Sequence, residues 1–163
     1  MKVVGVVGWK NSGKTGLVER LVAHFADQGA RVATLKHAHH GFDVDQPGTD
    51  SFRHRAAGAA KVVVVSSHRV ATLEELRGAE QPSLETLLAQ LGPVDVAIVE
   101  GWKSAPHPKI ETVLSGAREP PIAQSDPTIS AVASDTMPNV SCPVLAIDAT
   151  AAIVDFIERE IWR

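Results

Sequence analysis

The sequence predicts an α/β protein with the P-loop NTPase fold, a mostly parallel β-sheet flanked by helices on both faces. The octapeptide GWKNSGKT at residues 8–15 fits the phosphate-loop pattern G-x-x-x-x-G-K-[ST] and lies between an apolar strand and an amphipathic helix. Short apolar runs alternate with helical patterns along the chain, as in parallel sheets. The run VAIVEG at residues 96–101 ends in a carboxylate followed by glycine. With 163 residues, we expect one nucleotide-binding domain spanning residues 1–163.

The first half of the chain begins with a valine-rich strand at residues 2–7, which we expect to be buried on both faces. A helix follows at residues 14–28, where apolar side chains recur at helical spacing and Gly29 is placed to end it. Four consecutive valines give the strongest strand signal, at residues 61–66. The other elements predicted here are a strand (32–36), a polar loop (41–48), a helix capped by Thr49 or Asp50 (to residue 57) and a short strand (70–72).

The second half contains a proline-rich, irregular stretch at residues 103–128, with one short strand inside it. A closing helix is predicted at residues 151–162, because isoleucine and valine recur along one face. The remaining elements predicted are a helix (83–91) and four strands (94–99, 110–114, 129–133 and 144–147).

Composition excludes several classes of protein. The net charge of −3 argues against general attraction to nucleic acid or to anionic membranes. The single cysteine, Cys142, excludes an internal disulfide framework, and we expect a buried structural thiol. No run approaches the ~20 apolar residues that span a bilayer, and residues 1–7 leave no room for a signal peptide. We therefore expect a soluble, cytoplasmic protein.

The phosphate loop predicts a nucleotide site. Glycines permit the backbone angles that turn successive N–H groups toward a phosphate, and the following helix adds its dipole. Lys14 is expected to reach the β- and γ-phosphates, and the Thr15 hydroxyl is expected to bind Mg²⁺. The predicted nucleotide-binding residues of the loop are Gly8, Trp9, Lys10, Asn11, Ser12, Gly13, Lys14 and Thr15.

Glu100 is the candidate catalytic residue. It follows a fully apolar strand, so it is expected at the carboxyl edge of the sheet, where α/β proteins bind ligands. There it would bind Mg²⁺ directly or through water, together with Thr15, or it would orient an attacking water; Gly101 is its neighbour in the nucleotide site. The alternative is a strand-end carboxylate that simply faces solvent.

The segment LKHAHHGFDVDQPGTDSFRHR, residues 35–55, is unusually rich in imidazole and charged groups. Three interpretations remain open: a transition-metal site, a switch-like or substrate-facing loop that meets an anionic ligand, and a solvated polar loop without a role. The density of these groups at the expected ligand edge favours the second. The candidate residues are His37, His39, His40, Asp43, Asp45, Asp50, Arg53 and Arg55.

Together, GWKNSGKT, KHAHHGFDVDQPGTDSFRHRAAGA, VAIVEGWK and KIE resemble the MobB family, the molybdopterin-guanine dinucleotide biosynthesis protein B family. The resemblance runs through nearly the whole chain. It implies a homodimer that binds GTP, hydrolyses it weakly, and assists the guanylyltransferase MobA in joining a guanine nucleotide to molybdopterin. GTP and Mg²⁺ are then the ligands, and molybdopterin or its molybdenum form is a direct or indirect partner. Contacts of the 37–55 segment with nucleotide or pterin are our own inference.

Guanine specificity has no clear signal in this sequence. Many GTP-binding proteins use an N-K-x-D motif, which is missing, and Asp135 follows a late strand at a similar position. It is either a guanine acceptor or a residue that ends a strand in a turn. Trp9 stands where related loops carry a lysine that acts across a dimer, so no such lysine is expected. Two alternative functions are a small-molecule kinase and a metallochaperone GTPase.

Overall fold

A computed structural model of the protein describes residues 1–38 and 41–163. The chain folds as two compact units, the first comprising Met1–His37 and Leu84–Arg163 and the second Ala38–Ser83. The first unit contains a six-stranded sheet in which every adjacent pair of strands is parallel. Its strands are β1 (Lys2–Val7), β2 (Val32–Lys36), β5 (Val96–Glu100), β6 (Lys109–Val113), β7 (Ile129–Ser134) and β8 (Val144–Ala146), in the order β2-β5-β1-β6-β7-β8.

Helices cover both faces of this sheet, as the predicted fold class requires. On one face, α1 (Lys14–Asp27) and α4 (Thr150–Phe156) bury Leu17, Leu21 and Ile153 against β1, β5 and β7. On the other face, α3 (Leu84–Gln90) and a 3₁₀ turn (Ile122–Gln124) pack against the remaining strand side chains. All residues of β5 are buried, which explains why its sequence is an unbroken apolar run up to Glu100.

The closing helix differs from its prediction. The α-helical part ends at Phe156, and a π-helical turn continues through Ile157–Ile161. The wider turn keeps Ile157 fully buried and brings the Trp162 Nε1 to 2.8 Å from the Val3 carbonyl oxygen, to which it donates a hydrogen bond. Packing of the last turn against β1 has therefore overridden the regular helical period.

The second unit contains α2 (Asp50–Ala56) and an antiparallel hairpin of β3 (Lys61–Val65) and β4 (Val70–Glu74). The four valines predicted as a strand lie in β3, but they belong to this separate two-stranded sheet. Thr49 caps α2, since its hydroxyl accepts a hydrogen bond from the Phe52 amide at 3.3 Å. No helix in the described part of the chain is long and apolar enough to cross a membrane.

Candidate nucleotide-binding site

The loop between β1 and α1 has the backbone conformation that a phosphate cradle needs. Gly8, Asn11 and Gly13 have φ angles of +150°, +60° and +89°, and Gly13 directly precedes the first residue of α1. Alternating backbone hands of this kind turn successive N–H groups toward one point, where the helix dipole also favours an anion. The loop residues predicted from the sequence are therefore brought together in one turn.

Gly8 occupies a space that no side chain fits. A Cβ atom there would lie 2.4 Å from the Ser12 Oγ and 2.6 Å from the Thr112 carbonyl oxygen. The Ser12 and Thr112 hydroxyls hydrogen-bond to each other at 2.8 Å, and the Thr112 hydroxyl also donates to the Val7 carbonyl. The start of the loop is thus fixed to strand β6 by buried hydrogen bonds.

Lys14 folds back over the loop. Its Nζ donates to the carbonyl oxygens of Gly8 at 3.2 Å and Trp9 at 2.7 Å. Burial lowers the pKa of Lys14, while the nearby carboxylate of Glu100 acts in the opposite direction. The ammonium group is therefore positioned across the mouth of the cradle, where it would meet the terminal phosphates of a nucleotide.

Glu100 lies where the sequence predicts it. Strand β5 is directly beside β1, with Glu100 opposite Val6, so the carboxylate ends next to the phosphate loop. The residue is buried, and its Oε1 lies 3.3 Å from the Nζ of Lys36 on the adjacent strand β2. A solvent-facing carboxylate does not fit this burial.

The residues at this edge fit a magnesium ion bound with a nucleotide. Mg²⁺ prefers oxygen donors, keeps several waters, and commonly takes only one or two protein ligands beside substrate phosphates. Glu100, at the end of β5, and the Thr15 hydroxyl, in the first turn of α1, would be the donors of this chain for it. Bound there, the ion would neutralise phosphate charge.

The backbone just beyond Glu100 is closely packed. The Glu100 carbonyl oxygen accepts from the His37 amide at 2.9 Å, and the Gly101 amide donates to Val6 at 3.1 Å. Gly101 has a φ angle of +95°, and a Cβ there would lie 3.2 Å from the His37 carbonyl oxygen. The His37 and Trp102 rings make a T-shaped contact, with 5.1 Å between ring centroids. His37 and Gly101 therefore shape the ends of neighbouring strands.

The Trp9 side chain is held in place beside the phosphate loop by two contacts. Its Nε1 donates to the Pro120 carbonyl oxygen at 2.9 Å, and the Nζ of Lys103 lies 3.7 Å from the ring centroid in a cation–π contact. The proline-rich stretch predicted to be irregular is thus tied to the phosphate loop. The departure from lysine at position 9 has a structural role in this chain.

A cavity of about 610 Å³ opens beside the first half of the loop. It lies between residues 9–12 and residues 112–119, the end of β6 and the segment after it. Asp135 holds this segment, since its carboxylate accepts from the Ser115 amide and the Ser115 hydroxyl, both at 2.6 Å. The hydrogen bond from the Ser115 hydroxyl lowers the pKa of Asp135. Desolvation acts in the opposite direction but is the smaller effect, so the pKa stays below its usual value. In this structure the Asp135 side chain anchors a loop.

The KIE motif anchors the two ends of the proline-rich stretch. The buried Lys109 Nζ donates to the Ala105 carbonyl oxygen at 2.5 Å, donates to the Thr128 hydroxyl, and lies 3.6 Å from Asp126. Glu111, also fully buried, accepts from the amides of residues 122 and 123 at 2.7 and 2.8 Å. Burial raises the pKa of Glu111 and lowers that of Lys109.

The charged residues of the second unit form a network among themselves. Arg55 donates to Asp43 at 2.8 and 2.9 Å and to Glu75 at 2.7 Å, and it lies 3.4 Å from Asp45. The hydrogen bond from Arg55 lowers the pKa of Asp43 and raises the pKa of the guanidinium. Asp45 also accepts from the hydroxyls of Thr49 and Ser51. These contacts connect the aspartate-rich loop, α2 and the hairpin.

The other candidates of this segment are more exposed. Asp50 begins α2 and lies 4.0 Å from Arg53, one turn later, in an exposed pair. His39 and His40 lie outside the described residues. Among residues 1–38 and 41–163, no group of three or more His, Cys, Asp or Glu side chains is arranged to hold a metal ion.

The structure adds site residues that sequence reasoning missed. Lys36 reaches Glu100 from β2, Lys103 covers Trp9, and Thr112 locks the loop from β6. Lys36 lies in the motif KHAHH, directly before His37, and Lys103 lies in EGWK, two residues after Gly101. Both motifs were recognised in the sequence, but neither lysine was selected as a site residue. Thr112 carries no signal of its own, because its contact joins residues a hundred positions apart.

Comparison with known proteins matches this chain to one family model and to relatives whose names agree with it. A family profile described as molybdopterin guanine dinucleotide synthesis protein B, MobB, matches residues 3–135. The molybdopterin-guanine dinucleotide biosynthesis adapter protein of Escherichia coli is 34% identical over 158 residues, covering 95% of this chain and 90% of the relative. The Haemophilus influenzae protein of the same name is 33% identical over 159 residues, covering 96% and 88%.

Solved structures agree with the fold. The crystal structure of Bacillus subtilis MobB superposes with a TM-score of 0.76 at 26% identity, covering 97% of both chains. A MobB homolog from Bacillus stearothermophilus gives a TM-score of 0.71 at 25% identity, covering 99% of both chains. The similarity therefore extends over nearly the whole length of each chain.

Proposed function

Because this chain belongs to the MobB family, we propose that it is a GTP-binding adapter protein of molybdopterin guanine dinucleotide biosynthesis. The observation that carries the proposal is the cradle formed by Gly8, Gly13 and Lys14, with the buried Glu100 carboxylate on the adjacent strand. The choice of GTP over ATP rests on the family. The predicted cytoplasmic location accompanies the proposal.

Each loop residue has a proposed role. Backbone amides from Trp9 to Thr15 bind phosphate oxygens, and Lys14 moves from the Gly8 and Trp9 carbonyls onto the terminal phosphates. Thr15 and Glu100 hold Mg²⁺, which supplies charge neutralisation when bound. Glu100 also orients the attacking water in a weak hydrolysis reaction.

We propose that the protein delivers its effect through a partner guanylyltransferase, MobA, which receives molybdopterin. The test is a reconstituted transfer reaction containing the partner, GTP, Mg²⁺ and molybdopterin. The wild-type chain is expected to raise the rate of guanylyl transfer, and Lys14→Ala to remove that increase. Arg31→Ala is the matched control, because Arg31 is an exposed cation that pairs with Asp95 at 3.5 Å, at the end of the sheet opposite the phosphate loop. Equal stimulation by Lys14→Ala and wild type would contradict the proposal.

A homodimer is part of the proposal, and the β3–β4 hairpin supports it. Val63, Val65 and Val70 are 59%, 71% and 65% exposed, although valine is typical of covered strands. A two-stranded sheet is marginally stable alone, and its edges present unpaired backbone groups. A second copy of the same hairpin would cover both the exposed valines and the unpaired strand edges.

Light scattering after size-exclusion chromatography tests this interface. Val65→Asp is expected to convert the dimer to a monomer, because a charge would be buried without a partner. Met137→Asp is the matched control, since Met137 is an exposed apolar residue of the first unit. A dimer that survives Val65→Asp would place the interface elsewhere.

A further inference from the structure

Lys36 forms an ion pair with Glu100, the proposed metal ligand. It is paired in register with Glu100 across the adjacent strands β2 and β5, and its Nζ lies 3.3 Å from the Glu100 Oε1. The Glu100 side chain is 11% exposed, whereas that of Lys36 is 63% exposed. A nearly buried carboxylate is therefore neutralised by an ammonium group that approaches from solvent.

The backbone beside this pair is held by hydrogen bonds, whereas the Lys36 side chain is largely exposed to solvent. The His37 amide donates to the Glu100 carbonyl oxygen at 2.9 Å, and the Gly101 amide donates to Val6 at 3.1 Å. The four-carbon stem of a lysine allows its ammonium to change partners without backbone movement. The Lys14 ammonium interacts electrostatically with both the Glu100 carboxylate and the Lys36 ammonium, so the three charges lie close together.

We propose that Lys36 is a resident counter-ion that exchanges with Mg²⁺ at Glu100. Without a divalent ion, the Lys36 ammonium occupies the carboxylate. When the ion takes Glu100, Lys36 moves onto the phosphate oxygens of the nucleotide, beside Lys14. This inference rests on the proposed nucleotide function, and it assigns to Lys36 two opposite effects: it competes with the metal and assists the nucleotide.

Loss of Lys36 should strengthen metal binding and weaken nucleotide binding. These opposite effects distinguish the proposed role from an ion pair that only holds the two strands together. Removing a cation from an ion pair of this exposure changes affinity by about twofold to fivefold. Lys36→Met is expected to tighten Mn²⁺ binding to nucleotide-free protein by about fivefold, because Glu100 is released and stays buried. The same variant is expected to weaken GTP binding in EDTA by about fivefold, because the Glu100 carboxylate, no longer paired with Lys36, then repels the phosphates.

The first measurement follows free Mn²⁺ by electron paramagnetic resonance, and the second is a calorimetric titration with GTP. Lys36→Arg is expected to stay near wild type in both, because it keeps the charge. Arg31→Met, which removes an exposed ion pair with Asp95 at the opposite end of β2 and β5, is expected to change neither. In a Glu100→Gln background, Lys36→Met is expected to give no gain in Mn²⁺ affinity.

Unchanged or weaker Mn²⁺ binding by Lys36→Met would overturn the inference, as would unchanged metal-free GTP binding. Failure of the proposed function looks different. In that case the wild-type chain itself would bind no GTP, and Lys14→Ala would behave as wild type. Thermal unfolding of each variant shows whether it folds. Lys36→Gln, which also removes the charge but keeps a polar side chain, takes the place of Lys36→Met if that variant does not fold.

Discussion

Gly8→Ala is expected to close the phosphate cradle. The added Cβ would lie 2.4 Å from the Ser12 Oγ, 2.6 Å from the Thr112 carbonyl oxygen and 2.7 Å from the Thr112 Oγ1. The serine hydroxyl can move away only by giving up its buried hydrogen bond to Thr112, and the carbonyl belongs to a buried strand and cannot give way. A φ angle of +150° adds backbone strain that glycine alone avoids.

The magnitude follows from these two costs. Forced overpacking of a closed site costs about 1–3 kcal/mol, and an unfavourable backbone conformation adds about 1 kcal/mol or more. The protein relieves a total of about 2–4 kcal/mol most easily by displacing the loop, which has one exposed side. Binding would then require the loop to return, so nucleotide affinity is expected to fall by about 30-fold to 1000-fold.

The assay combines calorimetric titration of GTP with urea unfolding. Gly29→Ala is the matched control, because Gly29 also has a positive φ angle, +83°, but no atom lies within 4 Å of its added Cβ. It is expected to lower stability by about 1 kcal/mol and leave GTP affinity unchanged. GTP affinity of Gly8→Ala within about threefold of wild type would refute the reasoning.

Three further predictions concern carboxylates and a histidine of the first unit. Glu100→Gln should slow Mg²⁺-dependent GTP hydrolysis more than it weakens GTP binding, and equal turnover would remove the catalytic assignment. Asp135→Ala should leave the ratio of GTP to ATP affinity unchanged but raise hydrogen exchange in the Ser115 loop, since both carboxylate oxygens accept from Ser115; a collapse of the ratio would instead favour guanine recognition. Burial, assisted by the nearby Lys109 charge, lowers the pKa of His107 from 6.5 to about 4, so stability present above pH 6.5 is lost as the pH falls toward 4. Between about pH 7 and pH 5, wild type should lose about 2 kcal/mol more than His107→Phe in urea unfolding, and parallel losses would contradict the buried, neutral imidazole.

Much of the site was predictable because its signals are local. The phosphate loop is a contiguous motif, and the apolar run of β5 showed that Glu100 would end a buried strand. The parallel arrangement then brought both to one edge of the sheet. The strand predictions for β1 and β2 also agree with the structure, because the valine-rich β1 ends at Gly8 and β2 ends where the polar, histidine-rich segment begins.

Other features depend on partners that a single sequence does not reveal. The valines of β3 predicted a strand, but periodicity does not say which strand it pairs with, and β4 is its neighbour in a separate hairpin. Arg55 was selected as an anion-binding candidate, yet it pairs with three carboxylates of the protein, Asp43 and Asp45 in one loop and Glu75 after the hairpin. The Lys36–Glu100 contact likewise needs the strand order, which places β2 next to β5.

The central claim is that the loop at residues 8–15 binds a guanine nucleotide with Glu100 on its metal side. The most direct measurement is calorimetric titration of the wild-type chain with GTP, ATP and molybdopterin in turn, each with Mg²⁺, repeated with Lys14→Ala. We predict saturable GTP binding that exceeds ATP binding and is nearly lost in Lys14→Ala. GTP binding that is unchanged in Lys14→Ala, or missing from the wild-type chain, would contradict the account.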